Sequence, residues 1–312
     1  MNTQIIYHPD IFLHDAAANH VQMESDRIAR VAKAVLAVPG VAPVLAQPAT
    51  ARQVCRNHDP EFIKHLLTVS PEPGQPPHMI DRETILNEHT LRAMVLSAGA
   101  ACQGVDAVMD GRALNAFCPV YAGHHAEASH AAGFCFINSV AIAAKHALAR
   151  GAQRVAILDI DTHSGNGTVM SFIHEKPAPG EAPRVLFAET YQEGYPHSFL
   201  PGYCPDHILR RRVKAPYQFH HSWTELLEKV AAYDPELVIV SAGFDAHMAD
   251  PLGQIRLLDD NYQRIAREIL AVCPRVVACL EGGYDVDATA RCAAYFVWEM
   301  VRVGPQAALL SL

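Results

Sequence analysis

The sequence predicts an α/β protein built around a mostly parallel sheet. Four short apolar runs have the character of strands that are covered on both faces, at 154–158, 185–188, 237–241 and 276–280. Segments with helical periodicity surround them, at 90–110, 138–150, 222–233, 259–273 and 285–303. Strands that alternate with helices indicate a parallel sheet, and ligands bind such sheets at the carboxyl ends of the strands.

Length and composition are those of an ordinary globular protein, with 312 residues, half of them hydrophobic and 19% charged. We expect residues 1–312 to form a single domain, because the Pro/Gly-rich stretches at 71–77 and 177–183 are short enough to be surface loops. The net charge of −8 gives no electrostatic reason for nucleic acid or a membrane as partner. No membrane span or signal peptide is visible, so we expect a cytoplasmic protein.

The eight cysteines form no Cys-x-x-Cys pair, which argues against a zinc ribbon or a thioredoxin-like motif. Several of them, such as Cys135 and Cys279, lie within apolar segments. We therefore expect buried free thiols in a reducing compartment.

Polar residues directly follow the first predicted strand. Asp159, Asp161 and His163 would share one face if the strand continued, because the side-chain period of a strand is two. Two carboxylates and an imidazole crowded at a strand end favour a bound cation. If the two aspartates only capped a helix or loop, the histidine would have no explanation. Glycines 165 and 167 do not make a dinucleotide loop, since the third glycine of that motif is missing.

A basic run, Arg210-Arg211-Arg212, occurs between the second and third predicted strands. In an acidic chain we interpret this run as a solvated loop face and not as a binding patch.

The third predicted strand is followed by Asp245, in a position equivalent to that of Asp161. With His163 these two aspartates would form an oxygen- and nitrogen-liganded site with an open position, which is the arrangement of catalytic zinc. The same ligands also allow Fe²⁺. His247 is a further candidate ligand, although a surface-loop histidine is the favoured interpretation.

The fourth predicted strand leads into Glu281-Gly282-Gly283-Tyr284, in which the two glycines permit a sharp turn. A phenol near a metal-bound carbonyl can donate a hydrogen bond to a developing oxyanion. The alternative for Tyr284 is an ordinary packed tyrosine.

An adjacent pair of histidines, His124 and His125, precedes all of these segments. Such a pair can act in acid–base chemistry if a different partner orients each ring, and Asp159 and Asn166 are the candidate partners. A solvated pair in a loop is the alternative, but the ligands predicted at the strand ends favour the catalytic interpretation.

Five motifs occur in one characteristic order, namely GHHA at 123–126, GFCFIN at 133–138, DIDTHSGNGT at 159–168, SAGFDAHMADPLG at 241–253 and LEGGY at 280–284. With them the chain resembles the histone deacetylase and acetylpolyamine amidohydrolase superfamily over residues 5–303. The resemblance implies an arginase-like fold and one Zn²⁺ per chain. It assigns Asp161, His163 and Asp245 as zinc ligands, His124 and His125 as the acid/base pair, and Tyr284 as the group that polarises the scissile carbonyl.

The resemblance also implies a narrow substrate tunnel, with Gly133, Phe134 and Leu200 at its wall. Behind the zinc ion it implies a structural K⁺ ion, bound through Asp159, Asp161 and His163.

Three positions depart from the family pattern. Ser164 stands where a second histidine is usual, Tyr121 lies in a segment that usually reads Arg-Pro-Pro, and Leu200 stands where the tunnel loop often has an aromatic residue. These changes affect the expected acyl group and amine more than the type of reaction.

The function that we expect is zinc-dependent removal of an acetyl or related acyl group from the amine of an acyl-lysine side chain. The alternative is a deacetylase of acetylpolyamines or other small amides, for which Asp81 and Glu83 are candidate acids at the rim of the site. A two-manganese arginase-type enzyme is disfavoured, since the segment around Asp245 supplies a single acid. A non-catalytic module is disfavoured because all six proposed positions are present. Acylated lysine or another acylated amine is the expected partner, and a homo-oligomer is left open.

Overall fold

The computed structural model describes residues 2–14, 26–175, 181–193 and 204–310. Ten strands occur in the described residues: β1 (Thr3–Tyr7), β2 (Val41–Leu45), β3 (His78–Met79), β4 (Ile85–Leu86), β5 (Asn115–Cys118), β6 (Val155–Asp159), β7 (Val185–Tyr191), β8 (Ile208–Arg212), β9 (Leu237–Ala242) and β10 (Val276–Leu280). The helices of the same ranges are α1 (Arg27–Leu36), α2 (Ala51–Val54), α3 (Pro60–Val69), α4 (Thr90–Met109), α5 (Ser139–Ala149), α6 (Asn166–Phe172), α7 (Pro216–Tyr233), α8 (Asp259–Val272) and α9 (Val286–Leu310), with a 3₁₀ helix at Pro9–Leu13.

Eight of the strands form one sheet in the order β2-β1-β5-β10-β9-β6-β7-β8, and every pair of neighbours in it is parallel. Strands β3 and β4 form a separate antiparallel pair. The predicted α/β class is therefore confirmed. The apolar runs became strands because helices cover both faces of the sheet, which leaves every residue of β6, β9 and β10 buried.

The central strands β10, β9 and β6 are adjacent and parallel, so their carboxyl ends meet at one edge of the sheet. Within this register Asp159 lies beside Ser241, and Ser241 lies beside Cys279. The loops that follow these three strands are those in which the sequence places its polar motifs. The topology thus brings together segments that are more than a hundred residues apart in the chain.

Strand β8 corrects the interpretation of Arg210-Arg211-Arg212 as a loop face, since these residues end a parallel edge strand that pairs with β7. Charged side chains are tolerated there because an edge strand has one open side. Strands β1, β2 and β5 were not predicted, because they are short or interrupted by polar residues and carry no clear period. Helix α7 begins earlier than predicted, with Pro216 in its first turn.

All eight cysteines are free, as predicted, and six of them are buried, while Cys55 is exposed and Cys204 is half-buried. The stretch at 71–77 has no helix or strand, and most of 177–183 lies outside the described residues. No helix in the described ranges is long and apolar enough to span a membrane.

A buried histidine, His58, holds the start of helix α5. Its Nε2 accepts the backbone N–H of Asn138 at 2.8 Å, and Asn138 caps α5 through its side chain. Burial lowers the pKa of His58 from 6.5 to about 4, and the nearby backbone hydrogen bonds offset this only in part. The imidazole is therefore neutral in the folded protein.

We expect acid to destabilise the protein partly through His58. Its folded-state pKa lies below its unfolded value, so its contribution is complete above pH 6.5 and is lost as the pH falls toward 4. The full loss is on the order of 3 kcal/mol. Denaturant titrations of wild type and His58→Gln at pH 7 and pH 5 should show a smaller acid loss in the variant. His221→Gln, at an exposed position of α7, is the control, and an unchanged loss in His58→Gln would contradict the prediction.

Candidate active site

The loop after β6 does not continue the strand. Asp159 is the last residue of β6, and the chain bends over residues 161–163. Asp159 turns toward His124, whereas Asp161 and His163 turn toward Asp245. The predicted shared strand face is therefore wrong, but the bend still brings Asp161 and His163 together.

Asp161, His163 and Asp245 form one buried cluster. Each offers one ligand atom, and these atoms lie within 4.8 Å of one another. Nδ1 of His163 is 3.1 Å from Oδ1 of Asp161 and 2.8 Å from Oδ2 of Asp245. Two carboxylates and one imidazole match the protein ligands of a catalytic zinc site with an open position, and they also suit iron.

The electrostatics of this cluster fit a cation. Burial and the neighbouring Asp161 raise the pKa of Asp245 to about 8. Burial opposes protonation of His163, but Asp245 and Asp161 outweigh it and raise the pKa of His163 to about 10. In the protein alone a proton on His163 thus balances part of the carboxylate charge, and a divalent ion would displace that proton.

Backbone groups hold the two carboxylates in place. Gly282 N–H donates to Oδ2 of Asp161 at 2.8 Å, and Thr162 N–H donates to Oδ1 of Asp245 at 2.7 Å. A Cβ at Gly282 would lie 2.3 Å from Oδ2 of Asp245 and 2.6 Å from Oδ2 of Asp161. Glycine is therefore required here by the close approach of β10's loop to both ligands, which is a stronger reason than the flexibility inferred from sequence.

The two adjacent histidines are buried, and each ring has a different partner. Nδ1 of His124 lies 3.0 Å from Oδ2 of Asp159, and Nδ1 of His125 lies 2.7 Å from Oδ1 of Asn166. Their ring centroids are 4.1 Å apart, and the ring of His125 is 6.2 Å from that of His163. The solvated-loop interpretation of this pair is therefore wrong, and the two predicted orienting groups lie where the acid–base hypothesis needs them.

The two histidines differ in charge environment. Burial disfavours protonation of His124, but the carboxylates of Asp161, Asp159 and Glu281 outweigh it and raise the pKa of His124 well above 6.5. The ring of His125 contacts an amide oxygen, that of Asn166. The pair therefore combines a ring surrounded by carboxylates with a ring that is oriented by an amide oxygen.

Tyr284 lies at the other side of the cluster, with its ring centroid 6.4 Å from that of His163. Burial raises the pKa of its phenol well above 10, and the carboxylates of Asp245 and Asp161 add to the effect. The hydroxyl thus stays protonated and able to donate. Gly283, just before it, has φ = 134°, so the turn that delivers Tyr284 uses a conformation that favours glycine.

Three residues that support the site were missed from sequence. Glu281 accepts the N–H groups of Gly123 at 2.6 Å and His124 at 3.1 Å, and burial raises its pKa to about 7. Asp250 accepts the N–H of Tyr284 at 2.7 Å. Arg27 donates to the carbonyl oxygen of Glu281 at 2.9 Å. Glu281 lies in the LEGGY motif and Asp250 in the SAGFDAHMADPLG motif, so both could have been predicted as site residues. Arg27 lies in none of the motifs, and no sequence pattern around it indicates its role.

The predicted tunnel wall is described only in part. Gly133 and Phe134 have φ values of 54° and 66°, and the Phe134 ring lies 6.2 Å from that of Tyr284. Phe134 therefore faces the same space as the phenol. Leu200 lies outside the described residues.

Tyr121, one of the three departures, is buried. Its ring packs edge-on against His14 at 4.3 Å, and its N–H donates to Oγ of Ser97 at 3.2 Å. A proline at this position could not make that hydrogen bond. The departure is thus accommodated by local packing.

His247 does not join the cluster of Asp161, and the surface-loop interpretation is wrong as well, because the residue is buried. Its Nε2 lies 2.9 Å from Oδ1 of Asp259, in a separate group with Cys292. Asp81 accepts the N–H groups of Glu83 and Thr84 and so caps its own turn between β3 and β4. Its role as a rim acid stays untested.

Comparisons with known proteins show what the chain as a whole is similar to. A family model described as "Histone deacetylase domain" matches residues 21–300. The "Probable deacetylase" of Archaeoglobus fulgidus is 29% identical over 309 residues, which cover 92% of this chain and 82% of that protein. The crystal structure of the HDA15 HD domain is 26% identical, with a TM-score of 0.87 over 97% of this chain and 89% of that chain. Acetylpolyamine aminohydrolase from Burkholderia pseudomallei is 25% identical, with a TM-score of 0.81 over 96% and 98%.

We expect Asp245→Asn to lose the bound metal, because the substitution removes one of two carboxylate ligands. Elemental analysis of the purified, dialysed protein should give about one divalent ion per chain for wild type and well below one for the variant. Asp259→Asn, in the separate His247 group, is the matched control and should keep its metal. Retention by Asp245→Asn together with loss by Asp259→Asn would place the ion in the other group.

Proposed function

This chain belongs to the histone deacetylase family, and as a member it is a hydrolytic enzyme acting on amides. From that premise we propose that it uses one zinc-type ion to remove an acetyl or related acyl group from the amine of an acyl-lysine side chain. The proposed ligands are Asp161, His163 and Asp245, as the sequence predicts. The observation that carries the proposal is the convergence of these three ligands with two differently oriented histidines and a protonated tyrosine.

The ion would be Zn²⁺ or Fe²⁺, and when bound it supplies a Lewis acid for the substrate carbonyl and lowers the pKa of water. Tyr284 would donate its phenolic O–H to the carbonyl oxygen as negative charge develops there. The left-handed turn at Gly133 and Phe134 presents the Phe134 ring beside this group, where it would line the path of an extended substrate.

We assign general-base work to His125. The Asn166 oxygen accepts the Nδ1–H of His125, which fixes the tautomer and leaves Nε2 as the proton-accepting nitrogen. His125 would take the proton of the attacking water through that atom. His124, which its neighbouring carboxylates keep protonated, would stabilise the developing negative charge and protonate the leaving amine.

A second substrate class is favoured by one structural relative. The solved structure with 98% of its chain matched is named as an acetylpolyamine aminohydrolase. The net charge of −8 would also suit a cationic amine, although it does not separate a polyamine from a lysine peptide. Deacetylation of a polyamine or another small amide therefore stands as the alternative.

We also propose that residues 1–312 act as one catalytic domain in the cytoplasm. The eight-stranded sheet and a family match over residues 21–300 support a single domain. Eight free thiols support a reducing compartment. The acidic chain gives no electrostatic basis for a nucleic-acid partner.

Replacing Tyr284 by Phe should lower kcat by about 10²-fold or more, which is the effect of removing one oxyanion donor. Steady-state turnover of the metal-loaded variant measures this, with metal content checked in parallel. Tyr295→Phe, at an exposed position of α9, is the control and should behave as wild type. Near-normal turnover of Tyr284→Phe would show that Tyr284 does not polarise the carbonyl.

Amine release from an acetyl-lysine peptide and from N-acetylputrescine, measured side by side with metal-loaded protein, separates the two substrate classes. We expect a higher kcat/KM for the peptide. A clear preference for N-acetylputrescine would instead assign the chain to small-molecule amide hydrolysis. Hydrolysis of neither by metal-loaded protein would exclude both probes as substrates and would mean that the enzyme acts on another acyl group or amide, or that the site is inactive.

A further inference from the structure

Strand β8 carries three consecutive arginines whose side chains differ in burial. The side chains of Arg211 and Arg212 are 36% and 55% exposed and pair with Glu225 and Glu193 on the surface. The side chain of Arg210 is only 12% exposed and points under the loop that follows β6. Because an arginine is costly to bury, an inward guanidinium needs a specific partner.

That partner is a carboxylate with no solvent exposure, Glu189 at the end of β7. Nε of Arg210 pairs with Oε1 of Glu189, and Nη2 donates to Oγ of Ser164 at 2.7 Å. The hydroxyl of Ser164 donates to Oε1 of Glu189 at 3.1 Å, and Gly165 N–H donates to Oε2 at 2.8 Å. The guanidinium also lies 4.6 Å from the ring centroid of Tyr191.

This group lies directly beneath the proposed metal ligands. Asp159, Glu189 and Arg210 are register neighbours across β6, β7 and β8. Ser164 follows the ligand His163 in the chain, and a Cβ on Gly165 would lie 2.4 Å from Oδ2 of Asp159. The short loop that carries His163 is therefore held between Asp159 on one side and the Glu189–Arg210 pair on the other.

Ser164 is one of the departures from the family pattern, and its hydroxyl contacts Arg210 and Glu189. The small hydroxyl of Ser164 both accepts from Arg210 and donates to Glu189, which makes it the link between the ion pair and the ligand loop. The departure at position 164 is thus tied to the inward arginine of β8.

The resemblance places an alkali cation in this region, through Asp159, Asp161 and His163, but the side-chain oxygens there already have hydrogen-bond or cationic partners. Oδ1 of Asp159 accepts the N–H of Asp161 at 3.1 Å, and its Oδ2 faces Nδ1 of His124. Both oxygens of Asp161 accept backbone N–H groups. The oxygens of Ser164 and Glu189 are occupied as described above.

We propose that the guanidinium of Arg210 is a built-in cation beneath the ligand loop, and that this enzyme needs no alkali ion there. Arg210 would then be a positioning residue, because it acts on His163 through Glu189 and Ser164. A fixed side-chain cation neutralises the buried carboxylate of Glu189 beside Asp159 without a dissociable ion. The inference rests on the proposed metal site but not on the identity of the amide substrate.

The first test compares wild-type protein in KCl, NaCl and choline chloride at equal ionic strength. We expect the same melting temperature Tm and the same Kd for Zn²⁺ in all three salts. Both quantities are read without turnover, so a failure of the proposed amidohydrolase activity does not affect them. A Tm or a Zn²⁺ affinity that rises clearly in KCl over choline chloride would overturn the proposal.

The second test uses Arg210→Met, which leaves the Glu189 carboxylate buried and unpaired. We expect Tm to fall by about 10 °C and Zn²⁺ binding to weaken by about 10-fold, because the loop that carries His163 loses its support. Potassium should restore part of both losses and choline should not, because the freed Glu189 and Ser164 oxygens can then bind the small ion. A residue with a merely structural role would not produce this salt dependence.

Arg212→Met on the same strand is the matched control and should behave as wild type in every salt. If Arg210→Met does not fold, the double variant Glu189→Gln, Arg210→Met removes both charges and should fold without a response to K⁺. An Arg210→Met protein with wild-type Tm and Zn²⁺ affinity would overturn the proposal. Losses in Arg210→Met that are the same in all three salts, or a double variant that K⁺ stabilises, would also overturn it.

Discussion

The constraint on which the site depends is the burial of two carboxylates, Asp161 and Asp245, around the imidazole of His163. Bare charges cannot stay together in such a place, and the raised pKa of Asp245 expresses that cost. A divalent cation bound by these residues would offset that cost. Strands β6 and β9 are adjacent and parallel in the sheet. The loops that follow them therefore bring these two acids together from distant parts of the chain.

Support for this centre comes largely from backbone groups. N–H donors of Gly282 and Thr162 hold the carboxylates, and Asp250 fixes the start of the Tyr284 side of the site by accepting its N–H. The backbone packs closely against these carboxylates, since a Cβ at position 282 would clash with the oxygens of Asp245 and Asp161. The rigid sheet edge therefore pre-organises the ligands and the phenol, which is what electrostatic catalysis requires.

Charge around the centre is distributed by layer. The carboxylates of Asp161, Asp159 and Glu281 outweigh burial and raise the pKa of His124 well above 6.5, whereas His125 is oriented by the amide oxygen of Asn166. Below the ligand loop the buried carboxylate of Glu189 is matched by Arg210. The buried carboxylates of Asp159 and Glu189 thus have different cationic partners, His124 and Arg210. The type of partner determines the charge state and the role of each side chain.

The sequence by itself determined the α/β class and the motifs that carry the site, because buried parallel strands are continuous apolar runs and the polar residues after them stand out. It did not determine the bend after Asp159, the edge strand that contains Arg210, or the burial of His247. Those features depend on long-range pairing: β8 is a strand because β7 offers it hydrogen bonds, and Arg210 turns inward because Glu189 is buried beside it. The hydrophobic pattern of a sequence segment indicates its burial and its secondary structure. The partner of a buried charge, by contrast, is decided only when the tertiary structure brings distant segments together.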